Sequence, residues 1–274
     1  MRYRFHRKSI NSIWRREMKK GKLGLPLEYK KNPEYFDAFN IGDDTNEKNS
    51  VIERLLKKYK TKTVLDLTCG TGSQVFYLIK RAYKCTGADF SPTLLKIARK
   101  KAKNNRINVK FIDGDMRTLK VGTFDAIITI SNAVGHLTKA GFSKAMRNIN
   151  NNLKKGGIYV FDILNLEAMT DAVVPGLAYS IHKKINNSQV YTVQCSTIDR
   201  KNGRLTSYDT YIVQKDADKP KIFNNKFSLQ LYTANELKEM LSKNGFETLA
   251  QYGLDGSKFL TKKTTSILTV ARKK

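Results

Sequence analysis

The chain has 274 residues, of which 40% are hydrophobic and 10% aromatic, so it is long enough and apolar enough to bury a hydrophobic core. This composition argues against a disordered chain, and no apolar run approaches the roughly 20 residues that a membrane span requires. Three cysteines without metal-ligand spacing argue against a disulfide framework and against a zinc site. We therefore expect a cytoplasmic protein without a metal site or a membrane partner.

The net charge of +27 is compatible with a polyanionic partner such as nucleic acid, but the distribution of the cations favours a simpler explanation. Lysine supplies 37 of the 51 cations and occurs in every segment, whereas phosphate recognition favours the bidentate guanidinium of arginine. The exception is the segment 1–24, in which nine cations face a single acid, Glu17. We interpret 1–24 as a basic leader and keep nucleic-acid binding as the weaker alternative.

Residues 25–60 are expected to form a helical cap, and a regular alternation of strands and helices follows. Strands are predicted from short β-branched or apolar runs, at 64–67, 85–89, 109–112, 124–130 and 158–163. Helical spacing between these runs predicts helices at 74–81, 93–104 and 142–153. Such alternation is typical of a parallel sheet with helices on both faces, so we expect an α/β core over 61–163.

The period of the apolar residues changes to two after residue 177. In 191–196 and again in 227–231, apolar and polar residues alternate. This pattern is typical of antiparallel strands with one solvent-facing side, so 164–232 is predicted to be an inserted antiparallel β subdomain. A last helix at 235–243 and a strand at 265–272 are expected to complete the sheet within a C-terminal segment, 233–274.

The stretch "VLDLTCGTGSQ", residues 64–74, predicts a ligand-binding loop. Ligands of parallel sheets bind at the carboxyl ends of the strands, where a glycine turn lets them approach the backbone. Gly70 and Gly72 supply such a turn shortly after Asp66. A dinucleotide fingerprint would have a third glycine where Val75 stands, and no Gly-Lys-Ser/Thr of a P-loop follows.

Further polar residues follow the next predicted strands. Asp89 closes the second strand, where a carboxylate can accept both hydrogen bonds of a ribose diol. Asp115 follows the third strand and could accept from an adenine amine, with Met116 packing near the base. The stretch "SNAVGHL", 131–137, follows the fourth strand. Four such features in chain order, each at the carboxyl end of a strand, favour a ligand site over a set of solvated turns.

The motifs "LDLTCGTG", "GADFSP", "GDM" and "KKGGIYVFD" together resemble those of the class I S-adenosylmethionine-dependent methyltransferases. The flanking stretches "GLPLEY", "IGD", "SNAVGHL", "DILN" and "LQLYTANEL" resemble the glycine N-methyltransferase group within that family. The "GHL" turn is also similar to that of amino-sugar N,N-dimethyltransferases. The resemblance implies a Rossmann-like sheet and S-adenosylmethionine as the cofactor.

The resemblance also implies roles for individual residues. Cofactor binding is implied for the residues at the strand ends, namely Asp66, Thr68, Gly70, Gly72, Asp89, Phe90, Asp115, Met116 and Ser131. Catalytic positions that line the passage to the methyl acceptor are implied for Tyr29, Asn132, His136, Asn165 and Tyr232. One departure is visible, since Asn40 replaces the tyrosine that the group has before "IGD".

The methyl acceptor is predicted from the stretch "DILN". The glycine N-methyltransferase group has an arginine between this acid and this asparagine, where it can clamp a substrate carboxylate, but Leu164 stands there in this chain. We therefore expect N-methylation of a small-molecule amine other than glycine. An RNA or protein methyltransferase that uses the segment 1–24 is the alternative, and a homo-oligomer is left open.

Overall fold

The structure is a computed structural model that describes residues 23–29, 32–42 and 44–274. Its N-terminal segment consists of the 3-10 turns Leu27–Tyr29 and Pro33–Tyr35 and the helices α1 (Phe36–Asn40) and α2 (Thr45–Lys58). The helix α2 packs on the sheet through apolar residues at helical spacing, because these form one buried stripe. None of the described helices is long and apolar enough to cross a membrane.

The predicted leader, 1–24, lies outside the described residues except at its end. Leu23 is buried, and its N–H donates to the carbonyl of His136 at 3.4 Å. Its own carbonyl accepts from the N–H of Ser228 at 2.7 Å. The boundary at 24 is therefore corrected, since Leu23 already belongs to the folded part of the chain.

Strands and helices alternate through the core. They are β1 (Thr63–Asp66), α3 (Ser73–Ile79), β2 (Lys84–Asp89), α4 (Pro92–Asn104), β3 (Lys110–Asp113), β4 (Phe124–Thr129), α5 (Lys139–Asn151) and β5 (Leu153–Leu164). The helix α4 begins where the Ser91 side chain accepts from the N–H of Leu94. The helix α5 begins earlier than predicted because the Thr138 side chain caps it by accepting from Gly141.

The rest of the chain forms a second sheet and then returns to the first. It contains α6 (Val173–Gly176), β6 (Tyr179–Ile185), β7 (Ser188–Asp199), β8 (Arg204–Lys215), β9 (Lys221–Gln230), α7 (Ala234–Lys243), β10 (Phe246–Tyr252) and β11 (Ser266–Lys273). The strands β6, β7, β8 and β9 pair antiparallel in chain order. The inserted antiparallel sheet that the sequence predicts is therefore present.

The main sheet of the described residues has seven strands in the order β10-β11-β5-β4-β1-β2-β3. The strands β1 to β5 are parallel, and β11 runs antiparallel to β5. Alternate residues face two cores, with Leu65 and Ile127 on one side and Val64 and Ile128 on the other. The predicted Rossmann-like α/β fold is confirmed, and its strand order reverses at β1, which creates a crevice there.

The strand β7 exposes two large apolar residues, Tyr191 and Val193, although Val190 on its inner side is buried. Tyr191 is 42% and Val193 49% exposed, whereas Thr192 between them is fully buried. The inner side faces the N-terminal segment, because Tyr211 of β8 donates its hydroxyl to Glu28 at 2.9 Å. The buried cluster of Leu27, Tyr35, Val190 and Tyr211 fills much of the space between this sheet and the N-terminal segment, and Glu28 and Thr192 are buried beside it.

Candidate cofactor and acceptor site

A pocket opens at the carboxyl ends of the parallel strands beside β1. Its volume is about 1140 Å³, including the solvent at its mouth. The described residues that line it come from the loops after β1, β3 and β4, from the end of β2 and from the N-terminal segment. Of the predicted site residues, those that line it are Tyr29, Thr68, Gly70, Asp89, Phe90, Asp115, Met116, Ser131 and His136.

The two predicted glycines have different roles. Gly70 lines the pocket with a φ of +53°, and a Cβ there would lie 3.1 Å from the Phe36 ring. Gly72 has a φ of +93° and is not among the described lining residues; a Cβ there would lie 2.7 Å from the Phe76 ring. Gly72 therefore provides the backbone turn that starts α3, and its contact with the cofactor stays a prediction.

Asp66 lies beneath the loop after β1 as a buried carboxylate with an unused oxygen. Its Oδ1 accepts from the N–H of Thr68 at 3.2 Å, and its Oδ2 has no hydrogen-bond partner among the described residues. Burial, with a smaller contribution from the nearby Asp89, raises the pKa of Asp66 to about 7, although the hydrogen bond from Thr68 lowers it. The buried hydroxyl of Thr68 also lacks a partner. This cradle is suited to a ligand that carries a positive charge and hydrogen-bond donors.

Asp89 joins the end of β2 to the glycine loop. Its Oδ2 accepts from the N–H of Gly70 and its Oδ1 from the N–H of Ser91, both at 2.8 Å. Burial raises the pKa of Asp89 to about 6, although these two hydrogen bonds lower it. Each carboxylate oxygen has a second lone pair, so Asp89 can accept from a ligand diol while it holds the loop in place.

Asp115 and Met116 border the pocket after β3. The Asp115 carboxylate is held by the Arg117 side chain, with Nη2 2.6 Å from Oδ2 and Nε 2.9 Å from Oδ1. Met116 is mostly buried but still reaches the pocket wall. A ligand amine at Asp115 would therefore share a carboxylate that Arg117 holds in a fixed orientation.

The N-terminal segment covers the loop after β1. The Tyr29 ring lies edge-on to the Phe36 ring at 5.2 Å, and Phe36 is the residue that packs against Gly70. The Thr71 hydroxyl donates to Asp37 at 2.5 Å, and the Ser91 hydroxyl donates to the Tyr29 carbonyl at 2.8 Å. Sequence reasoning found Tyr29 but missed Phe36 and Asp37, although the aromatic and acidic run "PEYFDAFN" marks them.

The loop after β4 is held in a strained backbone conformation. Ser131 and Asn132 have φ values of +64° and +56°, in the left-handed region that costs non-glycine residues energy. The Asp162 Oδ2 accepts from the N–H of Asn132 at 3.0 Å, and the Asn132 side chain accepts from the N–H of Leu164 at 3.1 Å. Asn132 therefore connects this loop to β5 and is not a described lining residue, so its role at the acceptor stays a prediction.

His136 separates the pocket from the inserted sheet. Its ring lies 5.7 Å from the Tyr29 ring and 6.1 Å from the Phe227 ring of β9. Burial lowers the pKa of His136 to about 4, with a hydrogen bond to the Gly24 backbone acting in the opposite direction. The imidazole is therefore neutral at neutral pH and is a weak base.

Asn165 and Tyr232, the two remaining predicted acceptor residues, do not line the pocket among its described residues. The buried Asn165 amide donates to the carbonyls of Thr261 and Thr264 at 2.7 and 2.8 Å. The Tyr232 ring is buried 5.7 Å from the Phe142 ring in the core. In this structure both side chains lie where the chain returns to the sheet, and their predicted roles at the acceptor stay predictions.

The core of this chain matches a known family. Residues 64–157 match the model of the methyltransferase domain family. The glycine N-methyltransferase of Oryctolagus cuniculus is 27% identical over 215 residues, which cover 70% of this chain and 72% of the rabbit protein. This chain is a class I S-adenosylmethionine-dependent methyltransferase. The predicted family, enzyme class and cofactor are therefore confirmed.

Two solved structures share the fold of this methyltransferase. The sugar N-methyltransferase KedS8 from a Streptoalloteichus species has a TM-score of 0.74 at 18% identity and covers 92% of this chain and 94% of its own. CalS10, an amino pentose methyltransferase from Micromonospora echinaspora whose structure contains bound S-adenosylmethionine, has a TM-score of 0.67 at 20% identity. That match covers 100% of both chains.

The described residues fit S-adenosylmethionine. The unpartnered Asp66 oxygen is suited to its charged amino group, and Asp89 is suited to its ribose diol. Asp115 and Met116 border the space left for the base. The described residues thus place carboxylate acceptors where the amino group, the ribose diol and the adenine amine of this cofactor would offer donors.

Proposed function

We propose that this methyltransferase methylates the nitrogen of a small-molecule amine other than glycine. The observation that carries the proposal is the chemistry of the pocket wall, which offers neither a strong base nor an unpaired cation. Lys48 is the only lysine or arginine among the described lining residues, and it pairs with Asp44. His136 is neutral because its pKa is lowered to about 4 by burial.

The lack of a base favours a nitrogen acceptor. A neutral amine attacks with its own lone pair, whereas a hydroxyl has to lose a proton as it attacks. Burial raises the pKa of Tyr29 well above its usual range, so that phenol cannot accept the proton either. Bound S-adenosylmethionine supplies an electrophilic methyl, whose bond to sulfur breaks as the bond to nitrogen forms. The product ammonium then releases its proton to solvent.

Positioning and exclusion of water are the tasks left to the protein. Tyr29, Phe36 and His136 form an aromatic wall that keeps water from the acceptor side and holds the acceptor on its path to the methyl group. The acceptor needs no charged group on the enzyme for the transfer itself.

The lack of an unpaired cation disfavours glycine. Leu164 stands where the glycine N-methyltransferase group has an arginine, and it packs against the apolar cluster of Met169, Leu205 and Phe227. A substrate carboxylate bound here would be buried without a partner, which costs several kcal/mol. The names of the rabbit relative and of the sugar N-methyltransferase KedS8 support a nitrogen acceptor in general.

A methyl-transfer assay with labelled S-adenosylmethionine tests the proposal. The panel contains neutral and cationic amines, amino sugars, glycine, sarcosine, hydroxyl compounds of matched size, and RNA. We expect saturable transfer to amines and amino sugars and poor transfer to glycine and sarcosine. Rapid transfer to glycine at low concentration, or transfer confined to hydroxyl compounds or RNA, would overturn the proposal.

A further inference from the structure

Two buried carboxylates lie between the inserted sheet and the N-terminal segment, outside the cofactor site. Glu28 is 5% exposed, accepts from the Tyr211 hydroxyl at 2.9 Å and accepts from the Asn40 amide at 3.3 Å. Asp209 is 3% exposed, and its Oδ2 accepts from the Asn225 amide at 3.4 Å. The Asp209 Oδ1 has no hydrogen-bond partner among the described residues.

No cation compensates this carboxylate pair within the described part of the chain. Neither Glu28 nor Asp209 takes part in a salt bridge there. Lys183 lies on the same side of the sheet, but its ammonium donates to the Ala38 carbonyl. Uncompensated buried charge is costly, and it is unexpected in a chain with a net charge of +27.

Burial and the negative charge of the pair raise the pKa values of the acidic groups at this place. Burial raises the pKa of Asp209 to about 7, and Glu28 adds to that rise. Burial, then Asp209 and Glu28, raise the pKa of Tyr179 to about 12. The buried Thr192 hydroxyl, on the same side of the sheet, also lacks a partner among the described residues. An orphaned carboxylate oxygen and an orphaned hydroxyl, both buried, indicate a ligand rather than a self-contained network.

The carboxylate pair lies one hydrogen bond behind the wall of the methyltransferase pocket. Asn40 lines that pocket and donates to Glu28. The carbonyl of Leu25, which also lines the pocket, accepts from Asn225 at 3.2 Å, and Asn225 in turn donates to Asp209. Glu28 is the chain neighbour of Tyr29, so both acids lie on the acceptor side.

We propose that Glu28 and Asp209 bind a protonated amine of the methyl acceptor, so that the acceptor carries two basic nitrogens. One nitrogen, held at the carboxylate pair, remains an ammonium, and the other is neutral and receives the methyl group. This inference rests on the proposed N-methyltransferase function. Aliphatic diamines and amino sugars with a second amine belong to this class, and amino acids do not.

Calorimetry with the enzyme saturated by S-adenosylhomocysteine measures acceptor binding apart from transfer. The probes are 1,4-diaminobutane, 1-aminobutane and 4-aminobutanoate, which share a chain length and differ in the second group. We expect the diamine to bind at least about tenfold more tightly than the other two. The variants Asp209→Asn and Glu28→Gln should each weaken diamine binding by about tenfold or more. Asp199→Asn, which alters an exposed acid of the same sheet, is the matched control and should leave diamine affinity unchanged.

Thermal unfolding shows whether the variants fold, and Asp209→Asn should unfold no earlier than the native enzyme because it removes an unpaired buried charge. Unchanged diamine affinity in both variants, or equal affinity for the diamine and the monoamine, would overturn the inference. If the diamine binds but no amine receives a methyl group in the panel assay, the carboxylate site stands and N-methylation is overturned as the function. If kcat/KM is equal for monoamines and diamines, N-methylation stands as the function and the proposed role of Glu28 and Asp209 is overturned.

Discussion

The cofactor half and the acceptor half of this methyltransferase use buried acids in different ways. In the cofactor half, Asp66 and Asp89 accept from backbone N–H groups of the loops that they organise. In the acceptor half, Glu28 and Asp209 accept from side chains only, and those side chains come from separate segments. The role of an acid that accepts from neighbouring backbone can be predicted from nearby residues in the sequence. The role of an acid that accepts from distant side chains is visible only in the folded molecule.

The two halves also differ in how well they tolerate amino-acid substitutions. Backbone donors remain when side chains change, so the cofactor half is robust and depends on a few acids. The acceptor half depends on side-chain pairs that a single substitution can remove, which suits a surface whose substrate differs among relatives. Substitutions in the cofactor half should therefore change the affinity for the cofactor, and substitutions in the acceptor half should change the KM for the acceptor.

The largest effect is expected for Asp89→Ala. The variant removes the acceptor of two backbone N–H groups and of the ribose diol, at roughly 1.5 to 3 kcal/mol for each hydrogen bond to a charged group. The calorimetric Kd for S-adenosylmethionine should rise at least about a hundredfold. Asp113→Ala alters the exposed neighbour of Asp89 on β3 and should change that Kd by less than about twofold. Equal losses in the two variants would remove Asp89 from the site.

The next effect concerns the pH dependence of stability. The folded pKa of Asp66, about 7, lies above its ordinary value of 3.8, so folding disfavours the ionised form. The contribution of Asp66 to stability is therefore most favourable at about pH 4 and falls as the pH rises to about 7, by on the order of 2 to 4 kcal/mol. Denaturant unfolding of the free enzyme across pH 4 to 8 measures it. Asp66→Asn should flatten this decline, and an unchanged slope in the variant would contradict the assignment.

Asn165→Ala should separate stability from catalysis. The variant loses the hydrogen bonds of the buried Asn165 amide to the carbonyls of Thr261 and Thr264 and should lower the free energy of unfolding by about 2 kcal/mol. Because Asn165 does not line the pocket, kcat/KM measured below the unfolding temperature should stay within about twofold of the native value. A large fall in kcat with unchanged stability would restore the catalytic role that the sequence suggests.

The smallest effect is expected for Tyr211→Phe. The variant removes the hydroxyl that donates to Glu28 and keeps the ring, so the acceptor half loses one hydrogen bond worth about 0.5 to 1.5 kcal/mol. The KM for the best diamine acceptor should rise about two- to tenfold, whereas the Kd for S-adenosylmethionine should not change. A parallel change in both constants would show that the two halves are not independent.

Local patterns in the sequence were enough to predict the sheet and most of the cofactor half. Apolar runs placed β1 to β5 within a few residues, because a buried parallel strand has no polar side to interrupt its apolar run. The positions of Gly70 and Asp89 marked the ligand loop, since Gly70 lies in the loop after β1 and Asp89 is the last residue of β2. The left-handed backbone at Asn132 and Gly72 was not predicted, because a motif does not reveal the backbone angles of its loop.

The sequence by itself determined the parallel core, the carboxyl-end loops and the cofactor, because strand period and strand-end acids are properties of neighbouring residues. Only the tertiary structure decided that Thr192 of β7 is buried while Tyr191 and Val193 on either side of it are exposed, because the N-terminal segment with Glu28 lies against the inner side of the sheet. It also decided that Asp209, from β8, shares a buried space with Glu28, 181 residues away in the chain. The local pattern of apolar residues cannot predict this contact between Glu28 and Asp209. Its energy depends on burial and charge between two segments that touch only after folding.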